Sequence, residues 1–204
     1  MDLATLHTQT YTPDFTPKPA EFVSLYEQHQ VMIEGTHCGE DRDCMYQKMR
    51  FTSDYAHCLF QLEEYSKTAK ASQYALGLYE SYSDTKSTDL LEQNYYKILL
   101  FDQGVAYWHL GKKREAAKNF KRLSSRFPEN AIYREWLVSS EQIQLKKIED
   151  KILIILAIVF VFDLFFSDRL PLSGQYILMA FMALSLLGVL AIRIMMFIKK
   201  RKKG

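Results

Sequence analysis

Two apolar runs near the C-terminus constrain the fold of this 204-residue chain more than any other sequence feature. Residues 152–166 read ILIILAIVFVFDLFF, and residues 176–198 read YILMAFMALSLLGVLAIRIMMFI. As a helix, the second run spans about 34 Å, enough for a hydrocarbon core about 30 Å thick. The first spans only about 22 Å, so it crosses only with flanking residues among the headgroups; a buried soluble helix is the alternative. The sequence predicts a transmembrane hairpin over 148–198, with spans at about 148–167 and 176–198.

Basic residues flank this hairpin on one side. Lys146, Lys147 and Lys151 precede the first span, whereas the link SDRLPLSGQ carries only Arg169. A basic tail, 199–204, follows the second span and contains Lys199, Lys200, Arg201, Lys202 and Lys203. The positive-inside rule then predicts that both termini are cytoplasmic, and we expect a two-span protein of a bacterial inner membrane. The tail serves as a topology anchor, or alternatively attracts anionic lipid.

Two charged residues fall within the apolar runs, Asp163 in the first and Arg193 in the second. Charges inside a membrane raise the question of an ion or proton path. In an antiparallel hairpin, however, these two lie near opposite ends. We therefore expect each side chain to reach the headgroup zone at its own end of the hairpin.

The first 150 residues contain 18 Lys and Arg against 22 Asp and Glu, which argues against nucleic-acid binding. Residues 1–17 are polar and hold two prolines, so we expect a flexible N-terminal arm. From 18 to 147, apolar residues recur at intervals of three and four without the alternation of strands. This pattern predicts an all-α domain of antiparallel helical hairpins, followed by the membrane hairpin.

Residues 97–130 carry small, aromatic and turn-forming residues in a fixed order, KILLFDQGVAYWHLGKKREAAKNFKRLSSRFPEN. Their spacing resembles the tetratricopeptide repeat (TPR), a hairpin of helices A and B about 34 residues long. The resemblance assigns repeat-packing roles to Gly104, Tyr107, Gly111, Ala116, Phe120 and Pro128. Small residues let the helices approach closely, aromatic residues fill the space between them, and proline ends helix B. Leu123 departs from the pattern, because a small residue is usual there.

A weaker copy of the repeat fits residues 49–82, with Ala56 in the place of Gly104. The two copies are offset by 48 residues, so an insertion centred on SDTKSTD separates them. Residues 131–150 are expected to form a capping helix. Because no Pro or Gly occurs from Ala131 to Phe166, this helix should continue into the first span.

The resemblance implies that the A helices line a concave groove for a peptide or helix of a protein partner. It places in the groove Ile98, Phe101, Val105, Trp108 and His109 of the clear repeat and Arg50, Ser53, His57, Phe60 and Gln61 of the weak one. The Lys and Asn of carboxylate-binding family members are absent, so we expect a hydrophobic ligand. The alternative is that Phe101, Val105 and Trp108 only pack against neighbouring helices.

His37, Cys38 and Cys44, with His57 and Cys58, could be imagined as a zinc site, but their spacing is not that of common zinc modules. A disulfide is a second alternative. On the cytoplasmic side we expect unpaired thiols instead. No phosphate-binding loop, metal-binding helix pair or nucleophile elbow occurs, so we expect neither an enzyme nor a metal or other cofactor.

Together these features predict a membrane-anchored TPR-like scaffold or adaptor that recruits or organises a protein partner at the cytoplasmic face of a membrane. One alternative is an accessory subunit of a channel, transporter or motor, whose hairpin packs against the main subunit. Another is a small oligomeric channel with a regulatory domain.

Overall fold

The computed structural model of the chain describes residues 1–12, 18–82, 90–166 and 172–201. These residues form helices joined by short connections, and no β-strand occurs among them, so the all-α prediction is confirmed for this part of the chain. The helices are α1 (Leu3–Thr10), α2 (Pro19–Gly35), α3 (Arg42–Gln61), α4 (Tyr65–Tyr82), α5 (Asn94–His109), α6 (Lys113–Arg126), α7 (Ala131–Phe166) and α8 (Leu172–Arg201), with a 3-10 turn at Leu90–Glu92. The predicted insertion, 83–89, lies outside the described residues.

The chain forms two compact units, residues 1–137 (unit 1) and residues 138–204 (unit 2). Unit 1 holds α1 to α6 and the start of α7. Its helices pack against their neighbours along the chain, which is compatible with a helical-repeat fold. Buried side chains gather in two clusters, one between α1, α2 and α3 and the other among α3 to α6.

The hairpin of α5 and α6 shows why its glycines are needed. Gly111, in the turn, has φ +76°, a left-handed conformation that glycine adopts without strain. Gly104 lies where the two helices touch, since a Cβ there would come within 2.8 Å of Cε1 of Phe120. Ala116, Phe120 and Leu123 are fully buried in the same contact. Leu123, the departure from the repeat pattern, therefore fills core space.

The hairpin of α3 and α4 has the same arrangement over the weaker repeat. Ala56 and Leu59 of α3, together with Thr68 and Ala75 of α4, are fully buried. Thr68 can be buried because its hydroxyl donates a hydrogen bond to the backbone oxygen of Glu64, 3.0 Å away.

The expectation of a flexible arm is wrong for residues 3–10, which form α1. Asp2 caps this helix by accepting a hydrogen bond from the backbone N–H of Thr5 at 2.8 Å. Leu3 and Leu6, three positions apart, share one face and are buried against α2 and α3. The leucine pair thus gives the segment an apolar face to dock. The rest of the predicted arm, 13–17, lies outside the described residues.

Helix α7 is continuous from Ala131 to Phe166, as the absence of Pro and Gly predicted. Asn130 begins it by accepting hydrogen bonds from the backbone N–H groups of Ile132 (3.0 Å) and Tyr133 (3.4 Å). Trp136 is half-buried against the core of unit 1 and seals it at this end.

In unit 2, one stretch among the described residues, Gly174–Ile198, is long and apolar enough to cross a membrane. The first predicted span, 148–167, is not confirmed, because α7 as far as Phe166 has no stretch that is both long and apolar enough. Large apolar side chains cover the outside of both helices of unit 2, including Ile154, Ile158 and Leu184, which are 61%, 64% and 68% exposed.

The two helices of unit 2 are joined by an ion pair that the sequence analysis missed. Nε of Arg193 on α8 donates to Oε1 of Glu149 on α7 at 2.7 Å. Arg193 therefore has a carboxylate partner within unit 2. Glu149 and Arg193 lie equally far along the sequence from Pro171, in the predicted link. In an antiparallel pair of helices such residues come opposite each other, so the sequence did contain a signal for this ion pair. The side chain of Asp163 lies outside the described residues.

Candidate functional site

Three apolar residues assigned to the groove pack inside unit 1. Val105 is only 5% exposed, and Phe101 is half-buried. The Phe101 ring contacts the rings of Phe120 (5.9 Å between centroids) and Tyr133 (5.7 Å). The start of α7 thus covers this part of α5, which favours the packing alternative for Phe101 and Val105.

Trp108 is half-buried at the same contact. Its ring lies edge-on to Trp136 at 5.4 Å, and Nζ of Lys113 sits 3.3 Å from its ring centroid. The same ammonium donates a hydrogen bond to the backbone oxygen of Trp108. The neighbouring His109 is exposed but stacks on Tyr65 at 4.0 Å. Trp108 is therefore held from two sides within unit 1.

The side of α3 that carries the predicted groove residues is largely polar, and Gln61 is exposed there whereas Arg50 and His57 are half-buried. Arg50, Asp54, His57 and Gln61 follow one another at intervals of four, three and four, so they share one face of α3. We call these four residues the polar strip. Ile98 of α5 is also open, with 41% of its surface exposed. Phe60, another predicted groove residue, is half-buried and packs against the core.

At the N-terminal end of the polar strip lies Tyr11, the residue after α1, which the sequence analysis did not assign. The hydroxyl of Tyr11 donates to Oδ2 of Asp54 at 2.7 Å, and the Arg50 guanidinium lies 3.8 Å from the centroid of its ring. Burial raises the pKa of Asp54, although the bond from Tyr11 opposes this shift. Tyr11 thus covers Arg50 and bridges it to the neighbouring carboxylate.

At its centre, the polar strip is bonded to α5. Nδ1 of His57 lies 2.7 Å from Oδ2 of Asp102, and its Nε2 lies 3.0 Å from the amide nitrogen of Gln61. Asp102 is only 2% exposed. The hydrogen bond to Asp102 raises the pKa of His57, and burial raises the pKa of Asp102. As the only acidic residue of α5, Asp102 was a signal for such a partner.

We expect an NMR titration of His57 in the detergent-solubilised chain to give a pKa above the ordinary value of 6.5. Because the folded pKa is raised, the stabilising contribution of His57 is complete below pH 6.5 and is lost as pH rises through the folded pKa. The Asp102→Asn substitution should lower the pKa of His57 measured in this titration. The control substitution Asp43→Asn, on the exposed start of α3, should leave it unchanged. A midpoint at or below the ordinary value would contradict the pairing.

The cysteines correct the expectation of unpaired thiols. Cys38 and Cys44 form a disulfide, with their Cα atoms 5.4 Å apart. The turn explains the approach, because Gly39 has φ +54° and the backbone N–H of Asp41 donates to the oxygen of Cys38 at 2.9 Å. Cys58 is free and buried, and burial raises the pKa of its thiol to about 11. Such a thiol is unreactive at neutral pH.

The basic tail is described only in part. Helix α8 runs to Arg201, but the side chains of Lys199, Lys200 and Arg201, and residues 202–204, lie outside the described part of the chain. Within the described part, no group of three His, Cys, Asp or Glu side chains is arranged to hold a metal ion.

Comparison with protein-family models, with curated proteins and with solved structures finds no match for this chain. Its described class is therefore an all-α protein of packed neighbouring helices with one helix long and apolar enough to span a membrane.

Proposed function

We propose that this chain is a membrane-anchored, TPR-like scaffold or adaptor. In this proposal unit 1 recruits a protein partner, and unit 2 holds it at the cytoplasmic face of the membrane as a two-span hairpin. The partner meets the open face of α3 and α5, where His57 and Gln61 of the polar strip and Ile98 reach the surface.

The contrast between the surfaces of the two units carries the proposal. Unit 1 buries its large apolar side chains in two cores, as a water-soluble domain does. Unit 2 exposes such side chains along both of its helices, including Ile177 (70%) and Phe197 (65%). An exposed apolar surface of this extent favours burial in lipid or against another membrane protein.

The repeat packing supports a recruiting role for unit 1. Gly104 lies against Phe120, Gly111 forms the turn, and α6 ends at Arg126, just before Pro128. Stacked helical hairpins of this kind present extended surfaces for binding proteins. The polar character of the open face changes the partner that we expect, from a hydrophobic peptide to one that also carries hydrogen-bonding groups.

Copurification from gentle detergent tests this function. We expect a stoichiometric partner to remain bound when residues 148–198 are replaced by an unrelated two-span hairpin. The double variant Gln61→Glu/Ile98→Glu should lose the partner, because both side chains are on the open face. The matched control is Gln28→Glu/Val31→Glu on α2, where Val31 is 90% exposed; it should retain the partner.

A different result would favour the second candidate. In that case the partner no longer copurifies once the native hairpin is replaced, but it still binds the Gln61→Glu/Ile98→Glu variant. The chain is then an accessory subunit that binds through unit 2. The exposed apolar sides of α7 and α8 are the surface that such an assembly would use. Equal retention by all variants would contradict both functions.

The proposed topology places both termini in the cytoplasm and predicts a labelling pattern. In a Cys38→Ser/Cys44→Ser chain, a cysteine at Ser173 should react from outside with a membrane-impermeant maleimide. Cys58 should stay silent because it is 2% exposed. Tags at both termini should be protected. Labelling of an N-terminal tag from outside would contradict the two-span topology.

The disulfide provides an independent control on topology. Disulfides persist in oxidising compartments, whereas cytoplasmic thiols are kept reduced. If unit 1 is cytoplasmic, Cys38 and Cys44 should be trapped as thiols by rapid alkylation of growing cells and should pair after an oxidant is added. If the two cysteines are already paired in untreated cells, unit 1 lies outside the cytoplasm. That result would contradict the two-span topology and would fit a single span at Gly174–Ile198 with a cytoplasmic tail.

A further inference from the structure

Positive charge in unit 1 is concentrated on one helix. Residues 112–126 contain seven Lys and Arg and one acidic residue, Glu115. The remainder of 1–137 contains nine Lys and Arg against 18 Asp and Glu. A strongly basic helix thus stands in an otherwise acidic domain.

The folded helix turns these charges outward. Ala116, Phe120 and Leu123 of α6 face the core, so Arg114, Lys118, Lys121 and Ser125 follow the opposite side at intervals of four, three and four. A cleft of about 460 Å³ opens beside this side. It is lined by Leu91, Lys118, Lys121, Arg122, Ser125 and Arg126.

Among the described residues that line this cleft, four are cationic and none is acidic. Among the side chains that the structure describes, Lys118 and Lys121 have no carboxylate within ion-pair distance. Arg122 reaches Glu80 only at 3.9 Å and donates to the hydroxyl of Tyr96 at 3.0 Å. Lys118, Lys121 and Arg122 are like charges held close together, and an anionic ligand would relieve their mutual repulsion.

We propose that this cleft binds a short acidic segment of a protein partner, with one apolar side chain of the segment against Leu91. The cations supply charge complementarity, and Leu91 supplies an apolar floor. The acidic remainder of unit 1 opposes an extended polyanion, such as nucleic acid or an anionic bilayer, because such a ligand would also meet the negative surface. A short peptide contacts the basic helix alone.

This site lies on α6 and uses none of the polar strip, so it is a second binding surface beyond the proposed function. It depends on that function only in that the ligand belongs to a protein. Variants of the polar strip and variants of the α6 cleft therefore fail independently of each other.

The test uses the full chain in phosphatidylcholine nanodiscs and a fluorescein-labelled peptide of Glu and Asp residues with one central Leu. Anisotropy should show saturable binding that weakens as salt rises to about 0.3 M. Lys118→Glu/Lys121→Glu should weaken binding at least ~10-fold, because it replaces attraction by repulsion. Arg42→Glu/Lys70→Glu, the same charge change at exposed positions elsewhere, should leave it within about twofold.

A peptide with Ser in place of Leu should bind more weakly if Leu91 forms the floor. Absence of saturable binding to the wild-type chain would overturn the proposal. So would equal loss in the two variants, which would reveal an effect of net charge alone. Loss of peptide binding when phosphatidylglycerol is added to the nanodisc would show that lipid, rather than a protein segment, occupies the cleft, and would also overturn it.

Discussion

Replacing Gly104 by leucine is expected to lower the free energy of unfolding by about 3 kcal/mol, the upper part of the range for overpacked cores. The first added carbon alone would lie 2.8 Å from Cε1 and 2.9 Å from Cζ of Phe120. Phe120 is fully buried and stacks on Trp136 at 5.5 Å, so its ring has no room to retreat. In thermal unfolding of the full chain, this corresponds to a drop of roughly 6–12 °C.

Gly77 provides the matched control for this substitution. It lies within α4, and a Cβ there would meet nothing within 4 Å. Gly77→Ala should therefore raise stability by about 0.5–1 kcal/mol through helix propensity alone. Gly104→Ala gains the same propensity but meets the Phe120 ring, so it should be the less stable of the two alanine variants. If Gly104→Ala proved as stabilising as Gly77→Ala, the close approach of α5 and α6 would be wrong.

Replacing Trp108 by alanine is expected to cost about 3 kcal/mol of folding free energy, the lower end of the range for truncation of a large aromatic side chain. Trp108 is half-buried, with its ring against Trp136 and beneath the ammonium of Lys113. Removing the Trp108 side chain leaves a cavity between α5 and α7, and the Lys113 ammonium loses its contact with an aromatic ring. Chemical denaturation of the detergent-solubilised chain measures the loss.

Ile98→Ala separates packing from partner binding on the same helix. Because Ile98 is 41% exposed, its truncation should cost less than about 1 kcal/mol of stability. If α5 contributes to the partner groove, that variant should nevertheless weaken partner capture. A stable Trp108→Ala chain that has lost its partner would instead return Trp108 to the groove and contradict its packing role.

The repeat resemblance assigned residues to a groove face but did not show which of them are open. Arg50, His57, Phe101 and Trp108 were all assigned to it by their positions in the repeats. Spacing defines the face of an isolated helix, yet the start of α7 covers Phe101 and Trp108, and Tyr11 covers Arg50. Asp102, the only acidic residue of α5, indicated a buried partner, but the spacing within α5 does not identify that partner as His57 of α3.

The sequence by itself determined the helical class, the glycine contact of the clear repeat and the unbroken course of α7. These features follow from apolar periodicity, from the repeat spacing that places a residue without a side chain at the helix contact, and from the absence of helix breakers. The tertiary structure alone decided the pairs His57–Asp102, Glu149–Arg193 and Cys38–Cys44. The first two join residues more than forty positions apart, and the disulfide depends on a turn that brings two nearby cysteines together, so each pair forms only where the fold sets the distance between two side chains.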